Sequence, residues 1–478
     1  MKKTIGIALL IATMSFFIYS FDYFSSLDNK IYDHHFKTQR TQALENSIVI
    51  LTIDDESLEK ISEWPWSRAL YSNIVDTLRA GNAKIIAFDI NFDTHTKFDR
   101  KNNKLFNRSI QNHPNIIFSR RIKIYNKKTS FLNLRNQSIN SNRYSILHQS
   151  HDADYSVRRH SLLVKIRDAI YPCFALDIAA AYLDSSLTDD AMSIQNHILK
   201  INNLNIPLDK HNKMLINYST KSHSIPIIPI LKILDPNFLK YNPKLFTNKI
   251  VLIGTTASEL QDIYPTPPAA TMDGIEIQAH TIQTIINKQF IKTIPHIYYL
   301  LIILIPSLLI SILAKRINII GGFLFLVLFN YALFLSAKIL FQHHIVLNVF
   351  ASLFSLFLSY LASILYRFLV EEKQKKEELR HARLLSITRM SVSLNHEINN
   401  PLAFIMMGAQ LSIKLANNLL LSADKSTKQV LKTILDTSEK TYIESKHIAK
   451  ILQDIQHIQE PIIEDYVDGT KMIKVKFD

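Results

Sequence analysis

One cysteine, Cys173, in 478 residues excludes an intrachain disulfide, and with it a disulfide framework or a cysteine-based zinc site. Glycine is also scarce, at eight residues. Glycine-rich loops that cradle phosphates need several close together, and no P-loop occurs. Composition excludes the disordered, collagen-like and repeat classes. What is present is uneven. The chain is 47% hydrophobic and 20% charged, with a net charge of +14, yet its mean hydropathy is only +0.05. That value averages long apolar runs with Asn/Lys-rich stretches. At about 150 residues per domain, the length suggests roughly three units.

Four apolar stretches are long enough for a bilayer core, which needs about 20 helical residues. They are Thr4–Phe21, His296–Ala314, Ile319–Phe341 and His344–Leu369. The alternative for the first is a cleaved signal peptide. Its apolar run is long for that, and no small-x-small site follows in Phe21-Asp22-Tyr23-Phe24, so an uncleaved anchor is expected. The connectors Lys315-Arg316-Ile317-Asn318 and Gln342-His343 are too short to hold domains. Lys2 and Lys3, Lys315 and Arg316, and Arg367 with Lys373–Lys376 fall on one side of a four-span topology, the cytoplasmic side by the positive-inside rule. Residues 22–295 are then extracytoplasmic and 371–478 cytoplasmic, in a multi-pass protein of the inner membrane.

This topology divides the charge into +7 outside, +1 inside and +6 at or in the spans. Within the external part, Lys97–Arg143 holds twelve basic residues and one acid, Asp99. A basic chain often binds nucleic acid, but this cluster lies on the wrong side of the membrane, and no nucleic-acid partner is expected. It reads as a solvated surface insertion, or as a patch attracted to anionic head groups or surface polymers.

In the external segment, Ile48–Asp54 and Lys84–Phe92 are β-type runs separated by helical spacing over Arg68–Ala80, the pattern of a parallel βαβ unit. Asn248–Gly254 is a third such strand, and Ile275–Ile286 a following helix. Asp54, Asp55 and Asp89 fall at the carboxyl ends of these strands, where open α/β sheets bind ligands, and Asp262 follows the third strand. They either cap helices and turns or form a ligand or cation site. The only two tryptophans sit in Glu63-Trp64-Pro65-Trp66-Ser67-Arg68. This element is a rigid aromatic lid, with Arg68 beside it, or a hydrophobic staple for the helix that starts there. No metal site is expected.

The block IVILTIDDESLEKISEWPWSRALYSNIVDTLRAGNAKIIAFDINF resembles the opening of the CHASE type 2 extracytoplasmic sensor domain, and NKIVLIGTTASELQDIYPTPPAATMDGIEIQAHTIQTIINKQFI resembles its close. The resemblance covers about residues 25–290 and is weakest in the basic middle. It implies signal input ahead of an output domain such as a histidine kinase, a nucleotide cyclase or a Ser/Thr kinase, and supplies no ligand.

Leu369–Arg389 is charged and free of Gly and Pro, and reads as a helix continuing out of the last span. Beyond it, Leu394, Ile398, Leu402 and Ile405 form an apolar stripe at helical spacing. His396 points away from that stripe. Glu397 is placed to orient the imidazole or accept its proton, and Asn400 follows one turn on. Pro401 removes a helical hydrogen bond beside Glu397. A second helix, Ser426–Gln459, carries an apolar face with Ile434, Tyr442, Ile448, Ile451, Leu452, Ile455 and Ile458.

The stretch His-Glu-Ile-Asn-Asn-Pro-Leu resembles the H-box of two-component sensor histidine kinases. The resemblance implies that His396 is the phosphoacceptor, that Glu397 assists proton transfer and that Asn400 holds a water in phosphatase action. It also implies a homodimer whose two hairpins form a four-helix bundle, a response regulator as partner, and ATP with Mg²⁺ as cofactors. The nucleotide-binding elements are not found. Eighty-two residues follow His396, with Gly408 and Gly469 the only glycines among them. The expectation is a chain that stops at the start of an ATP-binding domain, as a gene fragment or a naturally kinase-dead protein, with a separate kinase domain acting in trans as the alternative.

The expected fold class is a multidomain membrane protein with an α/β sensor, four transmembrane helices and a C-terminal α-helical hairpin. Its units are an anchor at 1–21, the sensor at 22–295, three spans at 296–370, a signalling helix at 371–389, the dimerisation and phosphoacceptor domain at 390–460, and a linker at 461–478.

Overall fold

The computed structural model describes residues 2–474 except 39–46, 62–63, 91, 93–99, 112, 114, 126–127, 132–143, 149, 167–168, 189–191, 219–224, 261, 315, 422–423, 457–461 and 466–470. It forms two compact units, Met1–Ile364 and Leu365–Asp478. Much of the basic stretch 97–143, and parts of the C-terminal linker, lie outside the described residues.

The first unit opens with helices α1 (Lys2–Ser20) and α2 (Ser25–Thr38). A sheet follows, built from β1 (Ile48–Ile53), β2 (Ile85–Asp89), β3 (Ile116–Tyr125), β4 (Lys128–Phe131), β5 (Tyr144–Leu147), β6 (Ile227–Pro229) and β7 (Ile250–Thr255). The order is β6–β1–β7–β2–β3–β5, all parallel, with β4 antiparallel to β3. The expected βαβ unit is therefore opened: β7 lies between β1 and β2, pairing Leu252 with Ile50 on one side and Ala87 on the other. Nothing local to residues 48–92 reports a strand that arrives about 200 residues later.

β1 and β7 are almost wholly apolar because helices cover both faces of the sheet. Ile48, Ile50, Ala87 and Leu252 pack with α6 (Phe174–Tyr182) and α9 (Gly274–Ile286). Val49, Leu51, Phe88 and Ile253 pack on the other face with α4 (Arg68–Ala80) and α5 (Arg100–Gln111). α3 (Asp55–Ile61) and the single turns α7 (Ile230–Ile233) and α8 (Phe238–Tyr241) complete this three-layer arrangement.

Four helices are long and apolar enough to cross a membrane: α1, α10 (His296–Leu313), α11 (Ile319–Gln342) and the first part of α12 (Phe350–Leu420). Their outward faces carry exposed Leu10, Phe17, Ile320, Leu328 and Leu365. Between α10 and α12 the contacts are small and polar. Ser307 Oγ meets Ser355 Oγ at 2.8 Å, Ser363 donates to Ser311 at 3.2 Å, and Ser352 donates to the Ile302 carbonyl at 2.9 Å. Such residues let helices approach closely where lipid removes the hydrophobic drive. The α11–α12 connector is clamped to the sensor, since Ile345–Val346 pairs in parallel with Lys292–Thr293.

The second unit is a helical hairpin of the C-terminal part of α12 and α13 (Lys425–Gln456). Leu402, Ala409 and Ala416, each seven residues apart, are buried on α12. On α13 the described buried or half-buried positions are Leu431, Leu435, Ser438, Tyr442, Ser445, Ala449 and Leu452, a heptad seam, together with Ile451 beside it. The single apolar face expected for this helix is thus divided: Tyr442 and Leu452 lie in the seam, while Ile434 and Ile448 are exposed. The side chains of Ile455 and Ile458 lie outside the described residues. α12 also leaves Phe404, Met407, Leu411 and Leu415 exposed, spaced three or four residues apart.

Candidate functional site

At the carboxyl ends of the strands, the side chains expected there are engaged in the fold. Asp54 Oδ1 accepts from the Ser57 amide at 2.9 Å at the start of α3. Asp55 holds the turn Ser258–Leu260, accepting from the Ser258 amide at 2.9 Å and its hydroxyl at 2.8 Å. Asp89 is buried at the end of β2. Trp66 is 2% exposed and packs in the core 5.3 Å edge-to-face from Trp64, and Ser67 caps α4. Arg68 is buried, donating to the Phe92 carbonyl at 2.6 Å with its guanidinium 4.3 Å from that ring's centroid. Asp262 accepts from the Tyr264 hydroxyl at 3.0 Å. Its carboxylate lies against the first residue of α9, where a Cβ on Gly274 would come within 2.4 Å of Oδ2. The N-cap Asp273 carboxyl is raised by burial and by neighbouring Asp262. The structure thus brings Asp54 and Asp55 to adjacent turns and Trp64 to Trp66.

A different constellation, centred on α2, ties the sensor to the spans. Arg158 is 2% exposed and forms ion pairs with Asp33 of α2 at 2.7 Å, Asp152 at 3.0 Å and Asp154 at 2.8 Å. Burial works against its charge, but Asp33, Asp154 and Asp152 outweigh it and hold the guanidinium above its ordinary value. Arg159 extends the network to Asp209 at 3.0 Å. On another side of α2, Tyr32 and Phe36 meet Phe341 of α11 edge-to-face and His35 meets it tilted, with ring centroids 5.1–5.6 Å apart. One turn earlier, Asp28 Oδ1 accepts from the amides of Val349 and Phe350, both at 3.1 Å. These open α12, so a carboxylate on α2 satisfies donors that a helix leaves unpaired at its N-terminus.

Beside Asp28 lies a cavity of about 410 Å³, walled by Tyr19, Tyr32 and Tyr299, by residues 196–198 and 207–210 of the sensor, and by Lys292–His296. A second, of about 420 Å³, adjoins it through Asp22, Ser25, Asn29 and Arg159. Neither is lined by Asp54, Trp64, Trp66, Arg68, Asp89 or Asp262. Sequence reasoning missed α2 altogether. The available signal was Asp28, Tyr32 and Phe36 at four-residue spacing and the acid–Arg pattern of 152–159.

The family model of the CHASE2 domain matches residues 7–312. The chain belongs to the CHASE2 family. Comparison with curated proteins and with solved structures gave no match. The CHASE2 match begins inside α1 and ends inside α10, so it includes α2, the Arg158 network and most of the cavity wall along with the sheet. A CHASE2 domain that enters two apolar helices in this way is a membrane-associated sensor.

Within the CHASE2 domain, His160 and His280 are buried, and burial pushes both down to about 4; His35 is held at about 4 by burial too. Unfolded histidine titrates near 6.5. The unfolded chain therefore binds more protons between these values, so stability falls as pH drops from about 6.5 toward 4. Asp28, raised by burial to about 6, and Asp273, also raised by burial, act in the opposite direction. The melting temperature of the detergent-solubilised chain is expected to be lower at pH 5.0 than at pH 7.5, by on the order of 1 kcal/mol of stability per pH unit per histidine before that offset. An unchanged or higher melting temperature at pH 5.0 would contradict the buried neutral histidines.

Outside the CHASE2 match, α12 contains the histidine motif. The backbone is helical through His396 and Pro401, Glu397 and Asn400 are exposed, and the His396 side chain lies outside the described residues.

Proposed function

We propose that this CHASE2 protein is a membrane-bound receptor of the sensor histidine kinase type, phosphorylated on His396 and passing the phosphoryl group to an aspartate of a response regulator. The observation that carries the reading is α12. One helix begins at the Asp28 contact, includes the last apolar span and contains the His-Glu-Ile-Asn-Asn-Pro-Leu stretch. In this reading an imidazole nitrogen of His396 attacks the γ-phosphorus of ATP and ADP leaves. Glu397 assists proton transfer, and Asn400 positions the attacking water in the separate phosphatase reaction, which releases inorganic phosphate. ATP and Mg²⁺ belong to this step as its phosphoryl donor and metal. The exposed Phe404, Met407, Leu411 and Leu415 support a homodimer, because joining two hairpins would bury them in a four-helix bundle.

Delivery of the phosphoryl group in trans by a partner's kinase domain is the second reading. The same experiment addresses both. The full chain is incubated with labelled ATP and Mg²⁺, alone and with a complete histidine kinase. Acid-labile, base-stable label on the chain is expected in at least the second case; no label in either would overturn the proposal.

We place residues 22–295 outside the inner membrane and 371–478 inside. A phosphatase reporter active only after export, fused after residue 295, is expected to be active, and one fused after residue 371 inactive. The reverse pattern would invert the topology.

A further inference from the structure

We propose that the cavity beside α2 binds a small organic molecule through a protonated amine, anchored by the Asp28 carboxylate. Asp28 is buried, and Oδ1 is committed to the two amides that open α12. Among the described residues no protein donor reaches Oδ2, and no Lys, Arg or His forms an ion pair with Asp28. One turn on, Tyr32 lines the same cavity; it is 5% exposed and its hydroxyl is buried without a partner. Tyr19 and Tyr299, with ring centroids 4.7 Å apart, form the adjoining wall. A carboxylate among tyrosine rings recognises an ammonium group through charge-assisted hydrogen bonds and cation–π attraction.

The protein's own cations in the wall are otherwise engaged. Lys210 pairs with Asp22 and already lies over the Tyr19 ring, 5.6 Å from its centroid, which leaves the Tyr32 and Tyr299 rings for a ligand; Arg159 pairs with Asp152 and Asp209. Lys292 is exposed and belongs to the rim. The buried end therefore offers an acceptor and π faces, and an anion would meet Asp28. Among the described residues no three His, Cys, Asp or Glu side chains are grouped to hold a metal ion, which favours an organic cation. A buried carboxylate without a cationic partner is costly. The helix N-terminus offsets part of that cost, and a bound ammonium would offset more. The site lies where α1 ends at Ser20 and α10 begins at His296. The amine therefore comes either from solution or from an aminophospholipid head group.

Burial raises the Asp28 carboxyl to about 6, against the lowering effect of the Phe350 and Val349 amides. Binding should therefore be tighter at pH 7.5 than at pH 5.0. His197 and His296 also line the wall, and substitution at Asp28 separates its contribution from theirs.

The test uses the full chain in phosphatidylcholine nanodiscs, with putrescine as probe and thermal unfolding and calorimetry as readouts, at constant ionic strength. It is independent of phosphorylation and therefore of the kinase reading. Saturable stabilisation by putrescine is expected, with none by 1,4-butanediol or succinate. Affinity should fall about tenfold or more at pH 5.0 and in Asp28→Asn, which keeps an N-cap acceptor but removes the charge. Tyr32→Phe, which keeps the ring, should weaken binding severalfold and serves if Asp28→Asn does not fold. If nanodiscs containing phosphatidylethanolamine are already stabilised in an Asp28-dependent way and putrescine adds nothing, the head group is the occupant and the proposal stands. Equal response to succinate, no response in either disc, or binding unaffected by both substitutions would overturn it.

Discussion

His396→Gln is expected to abolish labelling of the chain by a complete histidine kinase supplied in trans. The proposed reaction needs a neutral imidazole nitrogen on the helix, and glutamine keeps the helix while removing that nucleophile. His381 and His447, both exposed on the same two helices, serve as internal controls, and their replacement should leave labelling within about twofold of wild type. Glu397→Gln should slow labelling by about 10²-fold, the lower range of a general acid–base contribution. Label that persists in His396→Gln would remove the site assignment. Tryptic mapping of the labelled peptide would then show which residue carries it.

Arg158→Met is the substitution with the largest expected effect on folding. The guanidinium is 2% exposed and meets three carboxylates on two separate segments, α2 and the loop 152–154. Methionine fills similar volume, but Asp33, 24% exposed, would be left without its cation, and Asp152, 12% exposed, would keep only Arg159. Breaking a buried pair from one side costs about 3–5 kcal/mol, a large share of the stability of an ordinary domain. The expected result is a strongly lowered melting temperature and faster proteolysis between α1 and β1. Asp154→Asn should be mild by comparison, because Asp154 is 45% exposed. Equal melting temperatures for Arg158→Met and wild type would show that α2 is not held by this network.

Local elements were legible because they rest on local periodicity. The runs at Ile48–Ile53 and Ile250–Thr255, the amphipathic spacing of α4 and the four apolar helices each carry their pattern within one window. The sheet order was not legible, since β7 enters between β1 and β2 only through contacts far apart in sequence. Acids at strand ends were visible, but their partners were not: Asp55 is satisfied by Ser258, about 200 residues away. The cavity and the Asp28 contact were hidden for a related reason. Their walls come from α1, α2, the sensor loops, the start of α10 and the α11–α12 connector, and no single segment carries a motif.

The central claim is that α2 connects the CHASE2 sensor to the helix that carries His396. It is tested most directly by Asp28→Ala in the full chain, reading both amide exchange at 349–351 and the rate of His396 labelling in trans. Loss of the carboxylate is expected to speed exchange at the start of α12. It should also change the labelling rate by about fivefold or more in either direction, the usual scale of coupling between sites. Faster exchange at 349–351 with labelling at the wild-type rate would show that the contact is structural only, and would contradict the claim.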